Sequence, residues 1–523
     1  MRTHLLLSVC ALLGVLALAA KGQELAAGWS KAHGDLRNSN VHPTTGAIRS
    51  LANTEWEVLF EANWESAGVA HDQEGNSYFP ATNTLFQLNK EGNWTSGPLS
   101  TEYHYGFPAV TDDGKVVVLS ESSVDVFDLA SQSNISTSWD SIGFLLYGSS
   151  AVVVDGLIYI LNSDGEMMVF DFDLQQQAFN NASRYWNGLD NFVEFCTPAT
   201  DGQGNFYFYT ESESPSVVFA IRFPENELLW NRSMAELDPF PGMGLSYLTD
   251  GSPSLSEDGT RLFVTMIDGG VAALDTSNGD LVWATAISDI GTGEYYAEKL
   301  VPTVSPVDGT IITHWRNTQN NSVAVVGLDA ETGEKVHFVE LLPGSVTGVG
   351  SPGSVTADGV YYLSVYSVLA AVDLESFEVL WSREESKPSY ERSISIAADG
   401  SIYTPREWDS IAVLRCKENY ALDASGKCSK KCAHANARFI GRNLCGYDCG
   451  EEVALLFPLV EPLCGACQEN QYWSSEELVC EECPDGSSSP AGSIGADACM
   501  EDPASSEDGD GSGSNYLQSA FWF

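Results

Sequence analysis

SPSLSEDGTRLFVTMIDGGVAALDTSNGDLVWATA (Ser252–Ala286) is one unit of a repeat. A short apolar strand leads into a Glu-Asp-Gly turn and RLFVTMI, and the strand VAALD, a Thr-Ser-Asn-Gly turn and LVWATA follow. Short apolar runs separated by Asp-Gly and Asn-Gly read as strands joined by tight turns. Such a unit cannot bury both of its faces alone, so its copies must stack. Turns of the same kind after a first strand recur at Gly75, Gly114, Gly156, Gly204, Gly259, Gly309, Gly359 and Gly400, spaced 39, 42, 48, 55, 50, 50 and 41 residues apart. That interval suits a four-stranded blade. The expectation is an all-β chain: an eight-bladed β-propeller over residues 29–415, followed by a small disulfide-rich domain.

The last copy, RSISIAA, Gly400, SIYTP and SIAVLRC, lacks a fourth strand. Glu55-Trp56-Glu57-Val58-Leu59-Phe60 has the outer-strand pattern of LVWATA and VLWSRE. An N-terminal strand would then complete the eighth blade, close the ring without a covalent bond and remove an exposed sheet edge. An aromatic recurs on the fourth strand: Trp56, Trp94, Trp139, Trp230, Trp283, Phe338 and Trp381, with Phe179 or Trp186 in the third blade. A large ring at one place in every repeat is what stacked units need, so these are read as packing residues.

LDTSNGDLVW (Leu274–Trp283), LDAETGEKVHF (Leu328–Phe338) and VDLESFEVLW (Val372–Trp381) resemble the pyrroloquinoline-quinone-type propeller repeat. WSKAHGDLRNSN (Trp29–Asn40) is similar to the opening segment of secreted members of that family. The resemblance implies the fold over about residues 29–415 and, for its catalytic members, a quinone, a Trp platform, Ca²⁺ ligands and a vicinal disulfide. No two cysteines are adjacent here, Cys196 stands alone in the propeller, and no ligand set can be placed by motif. The non-catalytic members, which use the blades for binding, match better, and function has to be argued from a site.

Arg2 and His4 precede the apolar run Leu5–Leu18, and Ala17, Ala19 and Ala20 follow the pattern of a cleavage site, so residues 1–20 read as a secretory signal. No other segment is long and apolar enough to span a membrane in the mature chain. Sequons at Asn93, Asn134, Asn181, Asn231 and Asn320 agree with export and with a glycoprotein. The chain carries 72 acidic against 25 basic residues, a formal net charge of −47. Such a surface repels nucleic acid and anionic membranes. Its acidity is spread along the chain, which points to a solvated surface and diffuse Ca²⁺ capture rather than a dedicated ion site.

Strand order sorts the loops. Turns between strands one and two, and between three and four, are short and lie at one end of the ring. The long pieces gather at the other, where binding residues are usually carried. They bring Tyr103, Tyr105, Tyr185, Trp186, Tyr295, Tyr296 and Tyr390 together with Trp315, Arg316, Arg406 and Trp408. Aromatics with polar tips and a few Arg compose a protein- or glycan-contact surface. The same residues also suit capping of the ring under their own loops.

From Cys416 the composition changes. Cys416, Cys428, Cys432, Cys445, Cys449, Cys464, Cys467, Cys480, Cys483 and Cys499 imply about five disulfides in an exported chain, with connectivity left open. CEECPDGSSSPAGSIGADAC (Cys480–Cys499) resembles the cysteine-rich repeat found beside ephrin-receptor-like and growth-factor-receptor-like modules, which implies an extracellular module over residues 416–499. Residues 500–523 read as an acidic disordered tail. No H-E-x-x-H, G-x-S-x-G or phosphate loop occurs. The expectation is a secreted, extracellular, non-catalytic glycoprotein that binds a protein or glycan and needs no cofactor. The alternatives are a quinone- and Ca²⁺-dependent oxidoreductase and a structural matrix component.

Overall fold

The computed structural model describes residues 31, 34–43, 47–61, 68–72, 74–81, 83–89, 94–99, 107–120, 123–138, 150–162, 166–181, 197–210, 216–237, 251–266, 270–286, 295–296, 301–317, 322–341, 353–389, 394–406, 410–417, 420–422, 425–430, 437–439, 445–447, 470–474, 479–484, 487–489, 493–494, 496 and 499–501. Residues 1–20, expected to be a signal, together with Cys196 and most of the tail, lie outside them. Eight sheets of four or five strands form an eight-bladed propeller. Blade 5, with Ser254–Leu255, Arg261–Thr265, Val271–Asp275 and Leu281–Thr285, is the repeat unit read from the sequence. All eight turn glycines have φ between 71° and 94°, a backbone region that other residues enter at a cost. That requirement makes them visible in the sequence.

The ring closes as expected. Thr54–Glu61 pairs with Ser410–Cys416, with Trp56 opposite Leu414 and Thr54 opposite Cys416. Side chains from facing blades bury apolar clusters between them. Val152, Ile158, Met168 and Phe219 belong to one cluster, and Phe263, Trp283, Trp315 and Val326 to another.

The outer seams after blades 4 and 5 follow one rule, from which blades 3 and 6 depart. Trp230 of blade 4 donates its Nε1–H to the Thr276 carbonyl of blade 5 at 2.7 Å, and Trp283 of blade 5 does the same to Ala330 of blade 6 at 2.9 Å. Each ring rests on a glycine turn. A Cβ on Gly279 would lie 2.6 Å from the Trp230 ring, and one on Gly333 would lie 2.4 Å from Trp283. Trp381 of blade 7 donates to Ile48, in the N-terminal segment that serves blade 8. In blade 6 the docking ring is His337, not Phe338. His337 opposes Gly327 beside a bulge, as Trp283 opposes Ala273 and Trp381 opposes Ala371. It stacks on Phe377 at 4.5 Å, while Phe338 is 39% exposed. The bulge sets the phase of the strand, so the ring one position earlier faces the next blade. In blade 3 the corresponding position, opposite Val169 at a bulge, is Ala178.

The first disulfide belongs to the same compact unit as the propeller. Cys416–Cys428 carries a hairpin of Tyr420–Leu422 and Cys428–Lys430. The amide of Arg49 donates to Gly426 at 2.7 Å, that of Lys417 to Asn53 at 2.9 Å, and Asn53 Nδ2 to Cys428 at 3.0 Å. Leu422 and Cys428 are buried against Ala47 and Ile48. The loop therefore clasps the chain just before the closing strand.

A second unit, Lys431–Ile440 with Leu444–Phe523, pairs Ala437–Phe439 with Cys445–Tyr447 and Gln471–Ser474 with Val479–Glu482, and holds the disulfide Cys483–Cys499. Cys432, Cys449, Cys464 and Cys467 lie outside the described residues, as do the side chains of Cys445 and Cys480. Among the described residues no helix is long and apolar enough to cross a membrane.

Candidate functional site: the ring axis and the loop-bearing rim

The innermost strands of blades 4–7 are bridged by the chain's own N-terminal segment. The carbonyls of Leu36, Arg37, Ser39 and Asn40 accept from the amides of Thr200, Leu255, Val304 and Val355 at 2.8, 2.9, 3.2 and 2.8 Å, one per blade. His42 then accepts from Ala357 at 2.9 Å, and Val41–His42 runs parallel to Val355–Thr356. The sequence supports this path locally. Asp35 Oδ1 accepts from the amides of Arg37 and Ser39, while Asn38 and Asn40 take φ of 55° and 56°, a region Asn tolerates better than most residues. Asn38 Nδ2 donates to the carbonyls of Thr197 and Pro253, and Asn40 Nδ2 to Thr303 Oγ1. Farther along, Ile48 accepts from Tyr362 and Trp381, and Arg49 pairs with Asp373 and Asp358.

Burial sets the electrostatics here. Lys31, whose Nζ donates to Asn38 Oδ1 at 2.6 Å, is pushed down to about 7 by desolvation, against the opposing pull of Asp35. Burial pushes His42 down to about 3. His71, on the innermost strand of blade 1, is held well below the usual imidazole range by burial and then by the neighbouring His42. Its ring nitrogens meet Ser77 Oγ at 2.9 Å and Ser395 Oγ at 3.1 Å. In blade 6, His314 Nδ1 lies 2.9 Å from the Tyr361 hydroxyl, and burial pushes His314 down to about 4.

The rim residues divide. Tyr295–Tyr296 forms a short strand on Ile311–Asn317, with Tyr296 opposite Arg316 and Tyr295 opposite Asn317. The backbone of two candidate tyrosines is thus paired with the strand that carries Trp315 and Arg316. Trp315 itself is 1% exposed and packs with Phe263 and Trp283 between blades 5 and 6, because alternation along its strand turns it into the seam. Its Nε1–H and the hydroxyls of Thr265 and Thr313, all buried, have no hydrogen-bond partner among the described residues. Arg406 ends a strand of blade 8 opposite Ser410. Tyr103, Tyr105, Tyr185, Trp186, Tyr390 and Trp408 lie outside the described residues.

Of the sequons, Asn134, Asn181 and Asn231 sit on outermost strands, and Asn134 donates to Asp125 at 2.6 Å. Asn93 and Asn320 lie outside the described residues. The axial role of Lys31–His42 was missed in the sequence. The available signal was a polar stretch, HGDLRNSN, outside any repeat and holding two asparagines two positions apart.

A family profile described as outer membrane protein assembly factor BamB matches residues 214–425, less than half of the chain. No curated protein sequence matches. Among solved structures, the quinohemoprotein alcohol dehydrogenase ADHIIG from Pseudomonas putida HK5 is similar at 11% identity, with 79% of this chain and 82% of that one covered and a TM-score of 0.58. The quinohemoprotein alcohol dehydrogenase from Comamonas testosteroni is similar at 11% identity, 81% and 84% coverage and a TM-score of 0.56. A europium-containing methanol dehydrogenase is similar at 11% identity, 73% and 90% coverage and a TM-score of 0.53. The propeller has the quinoprotein-dehydrogenase-like fold. At 11% identity the likeness is one of fold.

Proposed function

We propose that this chain is a secreted, non-catalytic glycoprotein whose propeller presents its loop-bearing rim to an extracellular protein or glycan, with the cysteine-rich unit as a stalk. The observation that carries this reading is at the axis. The inner-edge amides of four adjacent blades, which could otherwise bind a ligand in the channel, are engaged by the chain's own Leu36–His42. That leaves the rim, where the backbone of Tyr295 and Tyr296 is paired with the strand that carries Arg316, as the surface for a partner. The leader sequence and the sequons support export. A glycan and cell-surface-protein array tests the proposal. Binding by the native protein that falls at least tenfold in Tyr295→Ala/Tyr296→Ala, at unchanged melting temperature, is the expected result. Binding unaffected by that variant, or no binding at all, counts against it.

The second reading, a quinone- and Ca²⁺-dependent oxidoreductase, is favoured by the fold likeness to the two alcohol dehydrogenases. The described residues do not fit such a site. The polar side chains of Asn38 and Asn40 at the axis are bonded to the blades, and no three His, Cys, Asp or Glu among the described residues are grouped to hold a metal. A quinone absorbance band retained by the native protein after loading with pyrroloquinoline quinone and Ca²⁺ would favour it.

A further inference from the structure

We propose that the Leu36–His42 segment is an acid-sensitive strap, released from the inner strands of blades 4–7 when the neighbouring imidazoles at its end, His42 and His71, become charged. The proposal is independent of the partner that the rim binds. It rests first on how the strap is held. Its contacts are main-chain hydrogen bonds to Thr200, Leu255, Val304, Val355 and Ala357, supplemented by buried amide side chains, with the side chains of Leu36 and Val41 packed on apolar clusters of the blades. The blade seams, by contrast, are held by apolar cores. A hydrogen-bonded strip that adds two apolar side chains to those clusters detaches at lower cost than a seam packed along its whole length.

The second support is the placement of the two imidazoles. His42 ends the bridged stretch. His71 stands in the innermost strand of blade 1 and is fully buried. Charge on both would place two desolvated cations side by side. The carboxylates nearby are engaged. Asp35, on the strap, binds the Arg37 side chain and the amides of Arg37 and Ser39. Asp72, beside His71, accepts from Asn76 and Tyr78. From blade 8, Tyr403 covers His71 at 4.9 Å between ring centroids, and burial raises its phenol. Lys31 gains its proton in the bound strap as well, at about 7, so it adds little to the acid response.

Strap release has a signature that general unfolding lacks: five amides in four different blades lose protection together while the middle strands keep theirs. Hydrogen exchange on the full chain at pH 7 and pH 5, corrected for intrinsic exchange, reads it directly. Protection of the amides of Thr200, Leu255, Val304, Val355 and Ala357 is expected to fall by about 25-fold per imidazole that passes from burial to water. Amides of Val217–Arg222 and Val271–Asp275 are expected to hold. His42→Gln and His71→Gln, made separately so that one folded variant suffices, should each remove about 25-fold of the response. Unchanged protection of the five amides at pH 5 overturns the proposal, as does their loss in step with the middle strands. A response of the same size in both variants assigns it to other groups and overturns it equally.

Discussion

Around the axis, blades 4–7 are joined by carbonyls, amides and buried ionisable groups of one strap; at the periphery, the same blades are joined by a ring laid on the next blade's turn. Both joints buried side chains, but they differ in what disturbs them. The inner joint holds His42 uncharged and pushes Lys31 down to about 7 by desolvation, and His42 acts electrostatically on His71. The outer joint depends on volume: a tryptophan over a glycine at two seams, a histidine over a phenylalanine at a third. Protons should act on the first and substitutions of size on the second.

The largest expected effect is that of acid. His42, His71 and His314 are neutral in the fold, whereas the unfolded chain takes up protons near the ordinary value of about 6.5. Below that value the unfolded state binds more protons. Stability is therefore full above about pH 7 and is lost as pH falls through 6.5, towards about 3 for His42 and about 4 for His314. Between pH 7 and pH 5 the loss should be about 2 kcal/mol per imidazole, about 6 kcal/mol in all. Denaturant titrations at the two pH values measure it. The turn aspartates Asp258, Asp308 and Asp373 have carboxyls lowered by hydrogen bonds, so their contribution is lost only as pH falls below 3.8. A midpoint that first moves below pH 4 would erase the contrast between the joints.

Next is Trp283→Ala, which should cost about 4 kcal/mol, against about 1 kcal/mol for His337→Ala. The indole fills a buried seam, whereas the imidazole is a smaller ring with its side chain 33% exposed. Equal losses in urea unfolding would show that the seams are not graded by ring volume. Replacing Cys416 and Cys428 together with Ser opens the loop that clasps Ala47–Asn53, with about 3 kcal/mol lost for a separation of 12 residues. The accompanying observation should be faster proteolysis of residues 43–53, since the clasp joins the strap's exit to the closing strand. The smallest effect is the most diagnostic. His337→Trp alone should destabilise by about 2 kcal/mol through crowding on Phe377, and Phe377→Gly in the same chain should recover at least about 1 kcal/mol of it. Additive behaviour in that double-mutant cycle would mean that the two rings do not share one seam.

Much of the ring was legible because its signals are local. Eight glycines recur where the backbone needs positive φ, and the outer-strand pattern around Trp56 marks the missing strand of the eighth blade. His337 was passed over for Phe338 because a strand pattern alone does not reveal a bulge, and one bulge shifts which residue faces the neighbouring blade. Trp315 reads as a rim aromatic from its place near a turn. Its burial depends on which face of the strand meets blade 5. The strap was illegible for a further reason. Its partners lie 159 to 315 residues away, and polar residues without periodicity look the same whether they face water or another backbone.

The sequence by itself determined the number of blades, the strand that closes them and the boundary where cysteines begin to accumulate, because repeats, turns and disulfide-forming residues are written in composition and spacing. Only the tertiary structure decided that the N-terminal segment fills the inner edge of four blades, that the first disulfide loop clasps it, and which ring faces each seam. Those features follow from long-range hydrogen bonds and strand phase, which exist only once the ring has closed and excluded water from its axis.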